Sequence, residues 1–269
     1  MARQRDERRD PARRKPGAEE TPTARQRTIA VTREEAASLL HRAQITAHEL
    51  MLSGSNYTFV VQMSAEGRGE FLAIYKPQQG ERPLWDFPHG TLHRREHAAY
   101  VASNHLGWPN IPATVIRDGP FGLGSVQLYV PSKGFRGDLS AFVRHYRSEL
   151  AEVALFDLLV NNADRKAGHC LPGADGRIWA IDHGLTFNLE PKLRTVLWEY
   201  CGESIPDQLL QGLEQLRDDP DRRQALRAEL EGDLNSEEVN IFFTRLEKLL
   251  RKRKFPRLDP NRNIPWPLV

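Results

Sequence analysis

Ile178-Trp179-Ala180-Ile181-Asp182-His183-Gly184-Leu185-Thr186-Phe187 runs from an apolar strand into a carboxylate and a glycine. A carboxylate set directly after a buried strand is costly unless a metal or a base neutralises it. Gly184 is expected to turn the backbone sharply just beyond it. Alone, Asp182 reads equally well as a strand-end residue capping a turn. Upstream lies a polar turn, Asn161-Asn162-Ala163-Asp164-Arg165-Lys166-Ala167-Gly168-His169. It follows Ser148–Val160, whose Leu150, Val153, Leu155, Phe156 and Leu159 have the spacing of a buried helix. Further upstream, Leu72-Ala73-Ile74-Tyr75-Lys76-Pro77 is a strand that delivers a lysine. A cation for nucleotide phosphates, a carboxylate for a divalent metal and another to orient a hydroxyl are the parts of phosphoryl transfer.

Outward from these segments the pattern is α+β. Thr32 and Glu35 form a capping box opening a first helix. Strands are expected at Gln44–Met51, Tyr57–Met63 and Glu70–Lys76, a helix at Arg94–Leu106, and two more strands at Ala113–Ile116 and Ser125–Val130. Beyond Pro131 the character turns helical: Leu139–Arg147, Ser148–Val160, Lys192–Cys201, Pro206–Arg217, Arg222–Glu231 and Ser236–Arg253. The expectation is a two-lobed protein-kinase-like fold, an N-lobe antiparallel sheet with one helix and a mainly helical C-lobe. Residues 1–27 read as a disordered Arg-rich tail, too poor in apolar side chains to offset their ordering entropy. Residues 28–130 form the N-lobe and 131–269 the C-lobe, which ends in a Pro-rich tail.

Together the segments resemble the phosphatidylinositol 3-/4-kinase superfamily, closest to type II phosphatidylinositol 4-kinases and a related bacterial group. The resemblance spans roughly Gly54 to Phe187, with the final Pro-Trp-Pro-Leu-Val similar to the bacterial group. It implies an ATP-dependent transfer of the γ-phosphate to a hydroxyl, with Mg²⁺ or Mn²⁺. By that resemblance Ser55 and Asn56 lie in a nucleotide-covering turn, and Lys76 contacts phosphates while Glu96 holds it. Asp164 with Arg165 forms the catalytic loop, and Asp182 binds the metal. Arg165 is expected to brace that loop through a carboxylate rather than to touch substrate. Gln127, Leu128 and Val130 are expected beside the adenine, although Ser125–Leu128 reads equally as core strand. Glu81 also follows Lys76, so the choice of Glu96 is open at this stage. One departure stands out: such kinases place a metal-binding asparagine where this chain has His169, a metal ligand, a phosphate donor or a structural histidine.

Net charge is +2, which does not point to nucleic acid. Cys170 and Cys201 have neither metal nor disulfide-framework spacing, so a reducing cytoplasm is expected. No apolar run approaches a membrane span, although peripheral contact is compatible with the sequence. Neither a palmitoylated cysteine cluster nor a basic or aromatic membrane-facing surface is legible, so small-molecule and protein acceptors together rank above lipid. A nucleotide-binding pseudokinase and an AMP-transferring enzyme are the alternatives. The loop Glu81–His89, with Trp85 and Phe87, is read either as a cover over the cleft or as two aromatics anchoring the loop. His93, His97 and His105 read as surface residues.

Overall fold

The computed structural model describes residues 32–51 and 56–265. The expected N-terminal tail, the turn carrying Ser55 and the last four residues lie outside them. Helix α1 (Arg33–Arg42) opens on the capping box, with Glu35 N–H donating to Thr32 Oγ1 and Thr32 N–H to Glu35. Strands β1 (Gln44–Met51), β2 (Thr58–Ala65) and β3 (Gly69–Pro77) follow as an antiparallel meander. After α2 (Leu92–Leu106), strands β4 (Thr114–Gly119) and β5 (Gly122–Leu128) complete a five-stranded sheet of order β1-β2-β3-β5-β4. Along β3, Phe71, Ala73 and Tyr75 are buried while Leu72, Ile74 and Lys76 are half-buried. The two-residue period of a strand thus fixes the face from which Lys76 projects.

The start of α2 is held by Glu81. Its carboxylate accepts from Leu92 N–H at 3.0 Å, His93 N–H at 2.8 Å and the His93 ring at 2.7 Å. A side chain from outside the helix thereby satisfies donors that a helix start leaves free. Burial alone would raise the Glu81 carboxyl, but these hydrogen bonds outweigh it and hold it below its usual value. Glu81→Ala should lower unfolding stability by about 1 kcal/mol at pH 7. The contribution is present above the ordinary Glu pKa and fades as pH falls through the lowered folded value. Urea titrations of both proteins at pH 7 and pH 3.5 check this, and a difference that persists undiminished in acid would refute it. His93 is buried here, not the surface residue expected, and its Nε2 has no partner among the described residues.

The helical half comprises α3 (Leu139–His145), α4 (Arg147–Val160), α5 (Asp207–Asp218), α6 (Pro220–Glu231) and α7 (Ser236–Lys252). A two-stranded ribbon, β6 (Cys170–Pro172) with β7 (Ile178–Ala180), lies between α4 and α5 in sequence. Buried side chains of both halves form one continuous cluster, from Leu40 and Val61 through Phe156 to Phe242. The helix expected at Lys192–Cys201 does not form; only the single turn Trp198–Tyr200 is helical. Its N–H groups bond elsewhere: Arg194 to Asn162 O, Thr195 to Asn263 O and Val196 to Arg165 O, at 2.9–3.1 Å. Tertiary partners have replaced the i−4 carbonyls a helix would use.

Candidate active site

Three chain segments converge on Lys76. Its Nζ contacts Glu96 from α2 and lies 2.9 Å from Asp182 Oδ1, in the turn after β7. The ambiguity between Glu81 and Glu96 is therefore resolved by position: Glu96 meets the lysine, and Glu81 holds the helix start. Burial disfavours the ammonium, but the two carboxylates outweigh it and keep Lys76 charged. Lys76 in turn holds the Asp182 carboxyl far below the usual range. Burial, with the Asp182 charge nearby, pushes Glu96 upward.

The sharp turn expected at Gly184 occurs instead at Asp182, whose φ is 61°. Aspartate is among the few non-glycine residues that tolerate this left-handed region, and such residues cluster at functional sites. Two neighbours on α2 fix the segment. Glu96 accepts from His183 N–H at 2.8 Å, and Arg95 Nη1 donates to Thr186 O at 2.6 Å. Arg95 is itself buried and paired with Glu238 at the start of α7. A movement of α2 would therefore displace Asp182.

The loop after α4 is braced from below. Arg165 is fully buried and makes a two-pronged pair with Asp157 of α4, at 2.8 and 3.0 Å. Its Nη1 donates to Ile181 O at 2.8 Å and to His169 O at 3.3 Å, and its Nη2 lies 2.8 Å from His183 Nε2. Arg165 is thus a positioning residue; it does not reach the cleft as a catalytic group would. Asn162 shares the brace, donating to Asp157 at 2.9 Å and accepting from Asp164 N–H at 2.9 Å. Asp164 itself is half-buried, with Lys166 Nζ 3.1 Å from its Oδ2. Burial raises its carboxyl, and Lys166 offsets this in part.

His169 places Nε2 3.2 Å from Asp182 Oδ2 and accepts at Nδ1 from Lys166 N–H at 3.4 Å. Burial lowers the imidazole to about 4, so it is neutral at pH 7. Among the described residues no group of three or more acidic, histidine or cysteine side chains could hold a metal unaided. Asp182 and His169 are the two donors side by side, which suits an ion that also binds nucleotide phosphates.

The remaining expected contacts divide. Asn56 Oδ1 accepts from Arg82 N–H at 2.8 Å, tying the end of the first turn to the loop after β3. Gln127 is buried strand, its side chain donating to Thr114 at 2.8 Å, so it is core rather than a ligand contact. Leu128 N–H is taken by Ala113 O and Tyr129 N–H by Leu72 O. Among the described residues Val130 makes no hydrogen bond, leaving its peptide groups open. In the Glu81–His89 loop, Phe87 is buried with Leu92 and Ala163, whereas Trp85 is 91% exposed. The loop crosses to the helical half through Asp86, whose carboxylate meets Lys192 at 3.1 Å. Only one of the two aromatics is an anchor.

With this geometry in place, relatives can be compared. The chain is 36% identical over 269 residues to Protein Rv2133c of Mycobacterium tuberculosis, spanning 87% of this chain and 96% of that protein. It belongs to the Rv2133c family. No family model matches the chain. Among solved structures, Fam20 of hydra, determined with sugar, is similar at a TM-score of 0.54 and 14% identity, over 80% of this chain and 87% of that one. The proinflammatory kinase CtkA of Helicobacter pylori is similar at 0.50 and 10% identity, over 79% and 93%. The Rv2133c family member described here therefore has a kinase-like fold, with the α+β architecture expected from its sequence. Among its described residues no helix is long and apolar enough to cross a membrane.

Proposed function

We propose that this chain is an ATP-dependent phosphotransferase that moves the γ-phosphate of ATP to a hydroxyl group. The observation that carries the reading is Lys76 held between Glu96 and Asp182, with Asp164 on the braced loop alongside. In this reading Lys76 offsets charge on the nucleotide phosphates, and Asp164 orients the acceptor hydroxyl and takes its proton. The open peptide groups of Val130 pair with the adenine edge. Asp182 and His169 would hold Mg²⁺ or Mn²⁺, which when bound offsets further phosphate charge. The finer likeness to phosphatidylinositol 3-/4-kinases rests on the motif Asn162-Ala163-Asp164-Arg165 and on Ile181 through Phe187.

Label transfer from γ- and α-labelled ATP to proteins, lipids and small metabolites tests the reading. Transfer of the γ label supports it. Transfer of the α label replaces it with AMP transfer, and nucleotide binding with no transfer replaces it with a pseudokinase.

The neutral imidazole beside Asp182 carries a separate expectation. Nitrogen donors suit Mn²⁺ better than Mg²⁺. His169→Ala should therefore lower turnover with Mn²⁺ by roughly tenfold more than with Mg²⁺. Equal losses with the two ions, measured by initial rates, would remove His169 from the metal site.

A further inference from the structure

An open cavity of about 1310 Å³ adjoins Asp164, on the side lined by α7 and the C-terminal segment. One wall is α7, where Arg245, Lys248 and Lys252 recur at the spacing of a single helix face. The opposite wall is the extended run through Lys192 and Arg194. The third is the C-terminal segment, with Lys254, Arg257 and Arg262. The acidic lining residues are three: Asp164, Glu190 and Asp259. Of the eight basic residues, Lys192 alone has a carboxylate within ion-pair distance among the described residues. Arg245 is the most telling. Its Nη2 donates to the carbonyls of Asn188 and Leu189, while its Nη1 is buried and without a partner among the described residues. Burial with no countercharge lowers it to about 10.

These walls are bonded directly to the catalytic loop. Arg194 N–H donates to Asn162 O and Arg194 O accepts from Arg165 N–H, at 3.0 and 2.9 Å. Thr195 N–H in turn donates to Asn263 O in the C-terminal segment. The positive surface is therefore set at a fixed position relative to Asp164. A phosphate monoester brings nearly two negative charges and three acceptor oxygens on one group. A few such groups would offset the excess of cations, where carboxylates would be needed in larger number.

Resting on the phosphotransferase reading, we propose that this cavity seats the acceptor and that the acceptor is a phosphate-bearing hydroxyl compound, a phosphorylated polyol free or as a lipid headgroup. Its hydroxyl oxygen forms the new bond to the γ-phosphorus. The bond from that phosphorus to the bridging oxygen breaks, its electron pair leaving on ADP, and the hydroxyl proton passes to Asp164 and then to solvent.

The test is calorimetric binding to the full chain, with the nucleotide cleft saturated by a non-hydrolysable ATP analogue. The probes are glycerol 3-phosphate and myo-inositol 1-phosphate against glycerol and myo-inositol, and phosphatidylinositol vesicles against phosphatidylcholine vesicles. Phosphorylated probes should bind at least about tenfold more tightly than their parents. Lys248 and Lys252 are exposed, so K248E/K252E should fold, keep its affinity for the ATP analogue and lose at least about tenfold for the phosphorylated probe. R262E, on another wall, should lose affinity in the same direction. Preference for soluble probes or for vesicles identifies the source. Equal binding of parent and phosphorylated probes, or unchanged affinity in both variants, overturns the proposal. Binding of the phosphorylated probe while the γ label goes only to other acceptors overturns the acceptor assignment. Absence of any γ transfer instead overturns the phosphotransferase reading, and leaves the anion site to stand or fall on the binding data.

Discussion

Asp182→Asn should keep its fold and its bound nucleotide while losing phosphoryl transfer by about 10²- to 10³-fold. The wild-type residue is held in left-handed backbone, and asparagine tolerates that conformation where alanine would add about 1–2 kcal/mol of strain. Lys76 retains Glu96 in the variant, so no buried cation is stranded. The amide oxygen can still accept from Lys76 or His169, so the local hydrogen bonds survive. What is removed is one full negative charge from the point where Lys76, His169 and the reacting phosphates meet. The loss should therefore fall on turnover rather than on nucleotide affinity. Initial rates of γ-label transfer, an ATP dissociation constant and a melting curve separate these effects. A variant within tenfold of wild-type turnover would remove Asp182 from the chemistry, and a collapsed melting temperature would make its role structural.

Such a test can be designed because part of the site is legible in one dimension. Lys76, Asp164 and Asp182 each close or follow a strand or helix whose apolar periodicity is plain, so a polar residue there is conspicuous. Glu96 was not separable from Glu81 in the sequence, since both follow Lys76; only the path of the loop after β3 assigns one to the lysine and the other to the helix start. Asp157 was missed, although it left a signal: a lone acid within the apolar run Leu155-Phe156-Asp157-Leu158-Leu159, which burial makes costly without a partner. The extended path of Lys192–Cys201 was not readable, because its hydrogen-bond partners are the catalytic loop and a segment near the C-terminus.

The basic cavity was hidden for a different reason. A net charge of +2 averages over the chain, and Lys248 and Lys252 on α7 read as the solvated side of an amphipathic helix. The sequence suggested no basic or aromatic surface, yet folding gathers one from three distant segments, with Trp85 beside it against Lys192 at 4.8 Å. Charge clustering of this kind is a property of the fold. Composition cannot report it.

Arg165→Met should cost about 3–5 kcal/mol of stability, because it leaves the fully buried Asp157 carboxylate without its cation. That is a large share of the 5–15 kcal/mol that typically separates folded from unfolded chains. Asp157→Asn combined with Arg165→Met should recover at least half of the loss. The second change removes the stranded charge, and the asparagine oxygen can still accept from Asn162. Turnover should not recover with it, because the carbonyls of Ile181 and His169 still lack the guanidinium that bonds both. Those two carbonyls fix the backbone on which Asp182 and His169 stand. Urea midpoints read the stability, and γ-label turnover at saturating ATP reads the positioning. If the double variant is no more stable than Arg165→Met, a stranded charge is not what the single change creates. If its turnover returns along with its stability, Arg165 serves the fold alone and has no part in placing the site.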